Sequence, residues 1–182
     1  MALSHAILTA LLDEDLSGYD LARKFETSLG FFWAASHQQI YLELKKLAEE
    51  GHLKASAVEQ AGRPDKIVYH LTKNGRAALA DWVQEASRRK PAKDDLYVKL
   101  YSVGHTDPTP VIKELKARQQ EHGERLALYE RIQARHYADP SSLPLQRQGI
   151  YLALDAGLRY ERTFLAWCED AIKLLERSQS AS

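Results

Sequence analysis

Apolar residues at Leu3, Ile7, Leu8, Leu11 and Leu12 recur at helical steps, and the pattern stops at Asp13-Glu14-Asp15. That period predicts a first helix with one buried face. Ser17, followed three residues later by Asp20, reads as the capped start of a second helix that buries Tyr19, Leu21, Ala22 and Phe25. This helix is expected to end between Ser28 and Gly30. After the aromatic connector Phe31-Phe32-Trp33, Ser36 caps a third helix. Its inward residues Ile40, Leu44 and Leu47 are spaced by four and three, and Gly51 closes it. The period then changes from helical to alternating. Leu53 to Val58 and Ile67 to Leu71 read as two strands joined by the turn residues Gln60-Ala61-Gly62-Arg63-Pro64-Asp65. Thr72 caps a further helix containing Ala78, Leu79, Trp82 and Val83.

Three helices, a two-stranded hairpin and another helix in this order describe a winged helix-turn-helix. The predicted fold class is mainly α. An N-terminal winged helix-turn-helix with a two-stranded β-wing spans 1–86, and a polar, basic, proline-broken hinge spans 87–93. A C-terminal antiparallel helical domain, read as the dimerisation unit and a candidate effector domain, spans 94–178. Within it a short helix runs from Asp94 to near Val103, and a long one from Thr106-Asp107-Pro108 to near Tyr137. After a break at 138–144, a last helix runs from Leu145 to Arg177. On that last helix Tyr151, Leu154, Leu158, Glu161, Leu165, Cys168, Ile172 and Leu175 step by three and four, a heptad seam that reads as the dimerisation surface. Glu161, the charged interruption, is expected to pair across the dimer with Arg159 or Arg162, or to border a cavity. The preceding helix offers a more polar seam at Leu115, Gln119, His122, Leu126, Tyr129 and Gln133.

Charge complicates the reading. Twenty-five basic residues balance 25 acidic ones, and 1–90 carries twelve of each. Attraction for nucleic acid must then come from where charges sit, not from their sum. The third helix, read as a recognition helix from Ser36 to Lys46, turns His37, Gln38, Gln39, Tyr41, Lys45 and Lys46 outward. Glutamine can bond an adenine edge, whereas tyrosine and lysine more often take phosphates. At the hairpin tip Arg63 and Lys66 are placed to reach phosphates or a minor groove. The competing reading of each is a solvated helix face or a charged turn. Glu43, Glu49 and Glu50 must face away from a duplex.

With 45% hydrophobic and 27% charged residues the chain reads as a folded globular protein. No apolar run approaches the roughly 20 residues of a membrane span, and no signal-peptide pattern is seen at the start, so the expected location is the cytoplasm. The single cysteine, Cys168, rules out internal disulfides and reads as a small buried apolar residue. His5, His37, His52, His70, His105, His122 and His136 are scattered without metal-ligand spacing. No metal or other cofactor is expected, and no phosphate loop or nucleophile elbow argues for an enzyme. Trp33, Tyr101 and Trp167 are candidate walls of an effector pocket for a small aromatic or apolar molecule, with hydrophobic core as the other reading.

Several motifs together resemble the PadR family of transcriptional regulators. They are Ser17-Gly18-Tyr19-Asp20-Leu21, Phe32-Trp33 with Ser36, Gln39-Ile40-Tyr41 with Leu44 and Leu47, and Glu50-Gly51. They continue through Gly62-Arg63-Pro64, Tyr69-His70-Leu71-Thr72 with Gly75, and Asp95-Leu96 with Lys99-Leu100, to the terminal helix with Trp167. The resemblance implies a homodimeric repressor of double-stranded DNA, with C-terminal helices at the dimer interface and often a small-molecule effector. A two-fold dimer predicts a pseudo-palindromic operator with half-sites about one helical turn apart. The balanced charge keeps a second class open, a winged-helix protein-interaction module without DNA binding. Salt dependence on duplex DNA separates the two.

Overall fold

The computed structural model describes residues 2–27, 35–59, 66–87 and 93–180. The chain divides into two compact units, 1–89 and 90–182.

The first unit opens with helix α1 (Ala2–Ala10), the two-residue strand β1 (Leu16–Ser17) and helix α2 (Gly18–Thr27). Helix α3 (His37–Glu49), the hairpin β2 (Leu53–Val58) and β3 (Lys66–Leu71), and helix α4 (Lys73–Gln84) follow. Ile7, Leu8, Leu11, Leu21, Ala22, Phe25, Ile40, Leu44, Leu47, Leu53 and Leu79 form one core. The helical and alternating periods therefore converge on a common interior, but Tyr19 does not: it is 63% exposed, contrary to the expectation that α2 buries it. The sheet also differs from the expected two-stranded wing. It has three antiparallel strands in the order β1-β3-β2, with Leu16 opposite Tyr69 and Ser17 opposite Val68. A two-residue strand is too short to show alternation, so its signal is absent from the residue pattern.

Local chemistry sets the ends of α3. Ser36 Oγ accepts from the Gln39 amide at 3.3 Å, and Gln39 Oε1 accepts from the Ser36 amide at 2.9 Å, a reciprocal capping box. At the other end Gly51 has φ +75°, the only positive φ among the described residues. The His52 amide reaches Leu47 O at 2.9 Å and the Gly51 amide reaches Ala48 O at 3.1 Å, the paired bonds of a Schellman motif. Thr72 Oγ1 lies 2.8 Å from Gly51 O and accepts from the Gly75 amide at 3.1 Å, tying the start of α4 to the end of α3. The hairpin leaves the core beyond its base: Leu53, opposite Leu71, is buried, while Val58 and Ile67 near the distal end are exposed.

The second unit contains α5 (Asp95–Ser102), α6 (Thr109–His136) and α7 (Leu145–Ser180). Helices α6 and α7 run antiparallel: Gln179 Nε2 donates to Thr109 Oγ1 at 3.0 Å at one end, and Arg147 donates to His136 O at 3.4 Å at the other. Leu96, Val111, Ile112, Leu115, Phe164, Cys168 and Ile172 form the core. Asp94 caps α5 by accepting from the Leu96 amide, and Arg118 of α6 clamps the same carboxylate at 2.5 and 2.8 Å. No helix of the described residues is long and apolar enough to cross a membrane.

The seam read from α7 is corrected by this packing. Leu154, Leu158, Glu161, Cys168 and Ile172 are each buried within the single chain, so they have no surface left to bury against a second copy. Gly157 on the same side lies close under the Tyr129 ring of α6, where an added Cβ would stand 2.9 Å from Cε2. The seam is the intrachain contact between α6 and α7. Glu161 is likewise satisfied inside the chain. It meets His122 Nδ1 of α6 and lies 3.4 Å from Arg125 Nη1, while Arg159 and Arg162 pair with Asp155 and Glu130.

Candidate nucleic-acid interface

With Ile40, Leu44 and Leu47 turned inward, α3 presents His37, Gln38, Gln39, Tyr41, Lys45 and Lys46 outward, and all six are exposed. These positions form one face because three- and four-residue steps repeat on one side of a helix. Glu43 is drawn off that face toward α1, where it accepts from the Ser4 hydroxyl. Glu49 and Glu50 stay exposed at the C-terminal end of α3.

Each lysine of the face stands near a carboxylate. Lys45 lies 3.8 Å from Glu49, and Lys46 lies 3.6 Å from Glu43 and 4.0 Å from Glu50. Exposed pairs at such distances contribute little, so a phosphate can displace them. Lys66 is held more tightly, 2.7 Å from Asp20 of α2. That contact, together with the Ser17 hydroxyl at 2.7 Å, holds the Asp20 carboxyl below the usual carboxylate range. Sequence reasoning did not pair Lys66 with Asp20, because the two come together only when β3 crosses the start of α2.

Gln39 has a dual demand on it. A bidentate adenine contact needs both its carbonyl oxygen and its amide nitrogen. The oxygen already accepts from the Ser36 amide but keeps a second lone pair, and the amide nitrogen takes no part in the cap, so capping and a base contact can coexist. Gln38, one residue earlier, has no such role in the cap.

Tyr41 is 47% exposed, with its ring over the first residue of α2. Beside it, burial chiefly and the neighbouring Tyr41 secondarily push the Tyr69 hydroxyl up. Arg63 of the hairpin tip and Trp33 of the aromatic connector lie outside the described residues, as does most of the 87–93 hinge. Of the other effector-pocket candidates, Tyr101 is 95% exposed and encloses nothing in the second unit. Trp167 packs 5.4 Å from Phe164 and 5.9 Å from Tyr97, ring centre to ring centre.

A capped helix with an open polar face, backed by a hairpin and accompanied by an antiparallel helical unit, defines a winged-helix regulator. Residues 7–81 match the transcriptional regulator PadR-like family, and residues 92–176 match virulence activator alpha C-term. The chain is 37% identical over 189 residues to "Probable transcriptional regulator Rv1176c" of Mycobacterium tuberculosis, covering 98% of this chain and 100% of that one. It is 32% identical to the negative transcriptional regulator PadR of Bacillus subtilis, over 96% and 98% of the two chains. Its fold superposes on Bacillus subtilis PadR in complex with operator DNA with a TM-score of 0.81 at 29% identity, covering 96% of this chain and 99% of that one. The Vibrio cholerae virulence activator AphA follows with a TM-score of 0.80 at 31% identity, over 97% and 99%. The chain belongs to the PadR-like family of transcriptional regulators.

Proposed function

We propose that this DNA-binding transcriptional regulator reads its operator through the outward face of α3 and acts as a homodimeric repressor. The observation that carries the reading is the open α3 face itself, in a fold that superposes on PadR bound to operator DNA. Gln38 and Gln39 are the base readers in this reading, Tyr41, Lys45 and Lys46 are phosphate ligands, and His37 flanks them. Lys66 and the Arg63 of the tip reach the backbone from the wing. Repression follows the name of the Bacillus subtilis relative, a negative regulator.

The dimer surface moves from the buried seam to the opposite side of α7. There Leu145, Leu152 and Leu174 are exposed at 83%, 64% and 66%. With the exposed Ala156 and Thr163 they share one face of α7 at steps of seven, four, seven and eleven, a second stripe opposite the buried one. A PadR structure holds p-coumaric acid, and a small aromatic effector is proposed here beside the Tyr97, Phe164 and Trp167 rings.

The test is a fluorescence-anisotropy titration with a duplex that the wild-type protein selects from a random-sequence pool. Lys46→Gln and Tyr41→Phe are each expected to weaken binding roughly three- to tenfold, the size of one lost polar contact. Gln38→Ala is expected to relax the preference at one base pair. Wild-type affinity in all three variants would remove the face from consideration. Steep loss of affinity with added salt separates this function from a protein-interaction module.

A further inference from the structure

Gly18 opens α2 and is buried, yet its φ is not in the positive range, since only Gly51 is there among the described residues. Its backbone conformation is one that any residue adopts, so a need for conformational freedom does not explain a glycine at the start of a helix. Space does. A Cβ built on Gly18 would stand 2.4 Å from Tyr41 Cε1 and 3.0 Å from both Cδ1 and Cζ. No other group competes for that position within the three nearest atoms; all three belong to the one phenol ring.

Gly75 shows what a structural glycine looks like in the same unit. Its added Cβ would meet His52 O at 2.3 Å, a backbone atom fixed by the Thr72 amide, so the fold itself forbids the side chain. At Gly18 the obstacle is instead a movable side chain on an exposed face, and the ring can swing away without disturbing the core.

We infer that Gly18 is a positioning residue for the DNA-reading face: it lets the Tyr41 ring close onto the start of α2 and so fixes where the hydroxyl points. The inference rests on the reading of α3 as the DNA face. Ser17 and Asp20 bracket the same seat, Ser17 through the β1-β3 ladder and Asp20 through Lys66. The short segment 17–20 therefore orders one side chain from α3 and one from β3.

The experiment compares Gly18→Ala, Tyr41→Ala and the double variant. Measurements are anisotropy on the selected duplex, thermal unfolding, and the NMR signals of carbon-13-labelled tyrosine rings, with Tyr41→Phe assigning the Tyr41 signal. Gly18→Ala is expected to melt within a few degrees of wild type, to shift the Tyr41 ring signal, and to weaken binding roughly tenfold. The double variant is expected to bind no more weakly than Tyr41→Ala, because the pair acts as a unit. Wild-type binding by Gly18→Ala alongside weakened Tyr41→Ala overturns the inference and leaves the DNA face intact. Wild-type binding by Tyr41→Ala overturns the face assignment at that residue and the inference with it. An unshifted ring signal, additive losses, or an unfolded Gly18→Ala also overturns it, the last by making the glycine structural.

Discussion

Glu161 is 3% exposed in its side chain, and a carboxylate so placed survives only with partners. His122 and Arg125 supply them, and the His122 ring also lies 4.1 Å from that of Phe164. Glu161→Ala is expected to cost about 2 kcal/mol in urea denaturation, because it leaves the half-buried His122 ring nitrogen without its partner. The pair His122→Phe with Glu161→Leu should recover most of that loss; failure to recover would mean that the charges themselves hold the helices in place. Cys168 is fully buried, and burial pushes its thiol up. It should stay unmodified by a thiol reagent in the native protein and react promptly in urea. Asp94 has a carboxyl held below the usual range, chiefly by hydrogen bonding to Arg118. A depressed folded-state pKa makes the unfolded chain the better proton binder, so the stabilisation is complete above the unfolded value of about 3.9 and fades as pH falls through the folded one. The stability gap between wild type and Arg118→Met should therefore be wide at neutral pH and close in strong acid, as read by urea titrations at the two extremes.

Helix α3 owes its position to its two ends as much as to its buried face. Ser36→Ala removes one half of the capping box and is expected to cost about 1 kcal/mol, seen as a lower thermal midpoint. Gly51→Ala and Gly75→Ala separate two reasons for a glycine. At Gly51 an added Cβ meets nothing within 4 Å, and the cost of about 1 kcal/mol is that of φ +75° alone. At Gly75 it meets a carbonyl at 2.3 Å, and the cost should be roughly 3 kcal/mol because backbone must move. Equal melting temperatures for the two variants would contradict this distinction. Gly51 stands out in the residue order, and so do Ser36 and Thr72, because caps act over three or four neighbouring residues, whereas the crowding at Gly75 comes from His52, far away in the chain. The Gln39 side chain was harder to place. Its carbonyl oxygen serves the cap while its amide nitrogen stays on the outward face, a division that spacing alone does not show.

Across the whole molecule, α7 carries two apolar stripes where one seam was legible. The stripe through Leu154, Leu158, Cys168 and Ile172 is buried, and the stripe through Leu145, Leu152 and Leu174 is exposed. Leu158→Glu is accordingly expected to unfold the helical unit. Leu152→Glu with Leu174→Glu is expected to leave it folded and monomeric by light scattering, with weaker DNA binding because each half-site is then held alone. A folded dimer in the second variant would remove the outer stripe from the dimer surface. The balanced charge of 25 basic and 25 acidic residues is consistent with the carboxylates found beside Lys45, Lys46 and Lys66. In the proposed dimer, affinity therefore has to come from a few placed side chains, presented twice.

By itself the amino-acid order determined the helices and the β2-β3 hairpin, the caps of α3 and α4, the outward face of α3 and the winged-helix class, because each of these depends on residues within a turn or two of one another. Only the tertiary structure decided which stripe of α7 is interior, that Glu161 meets His122, that Lys66 is held by Asp20, and that β1 joins the sheet. Those outcomes depend on which elements meet in space, and contacts between residues far apart in the chain leave no periodic trace. The α3 face spans both levels. Its residues were readable as outward from spacing alone, but the seat that Gly18 offers to Tyr41 exists only once α2 and α3 are packed together.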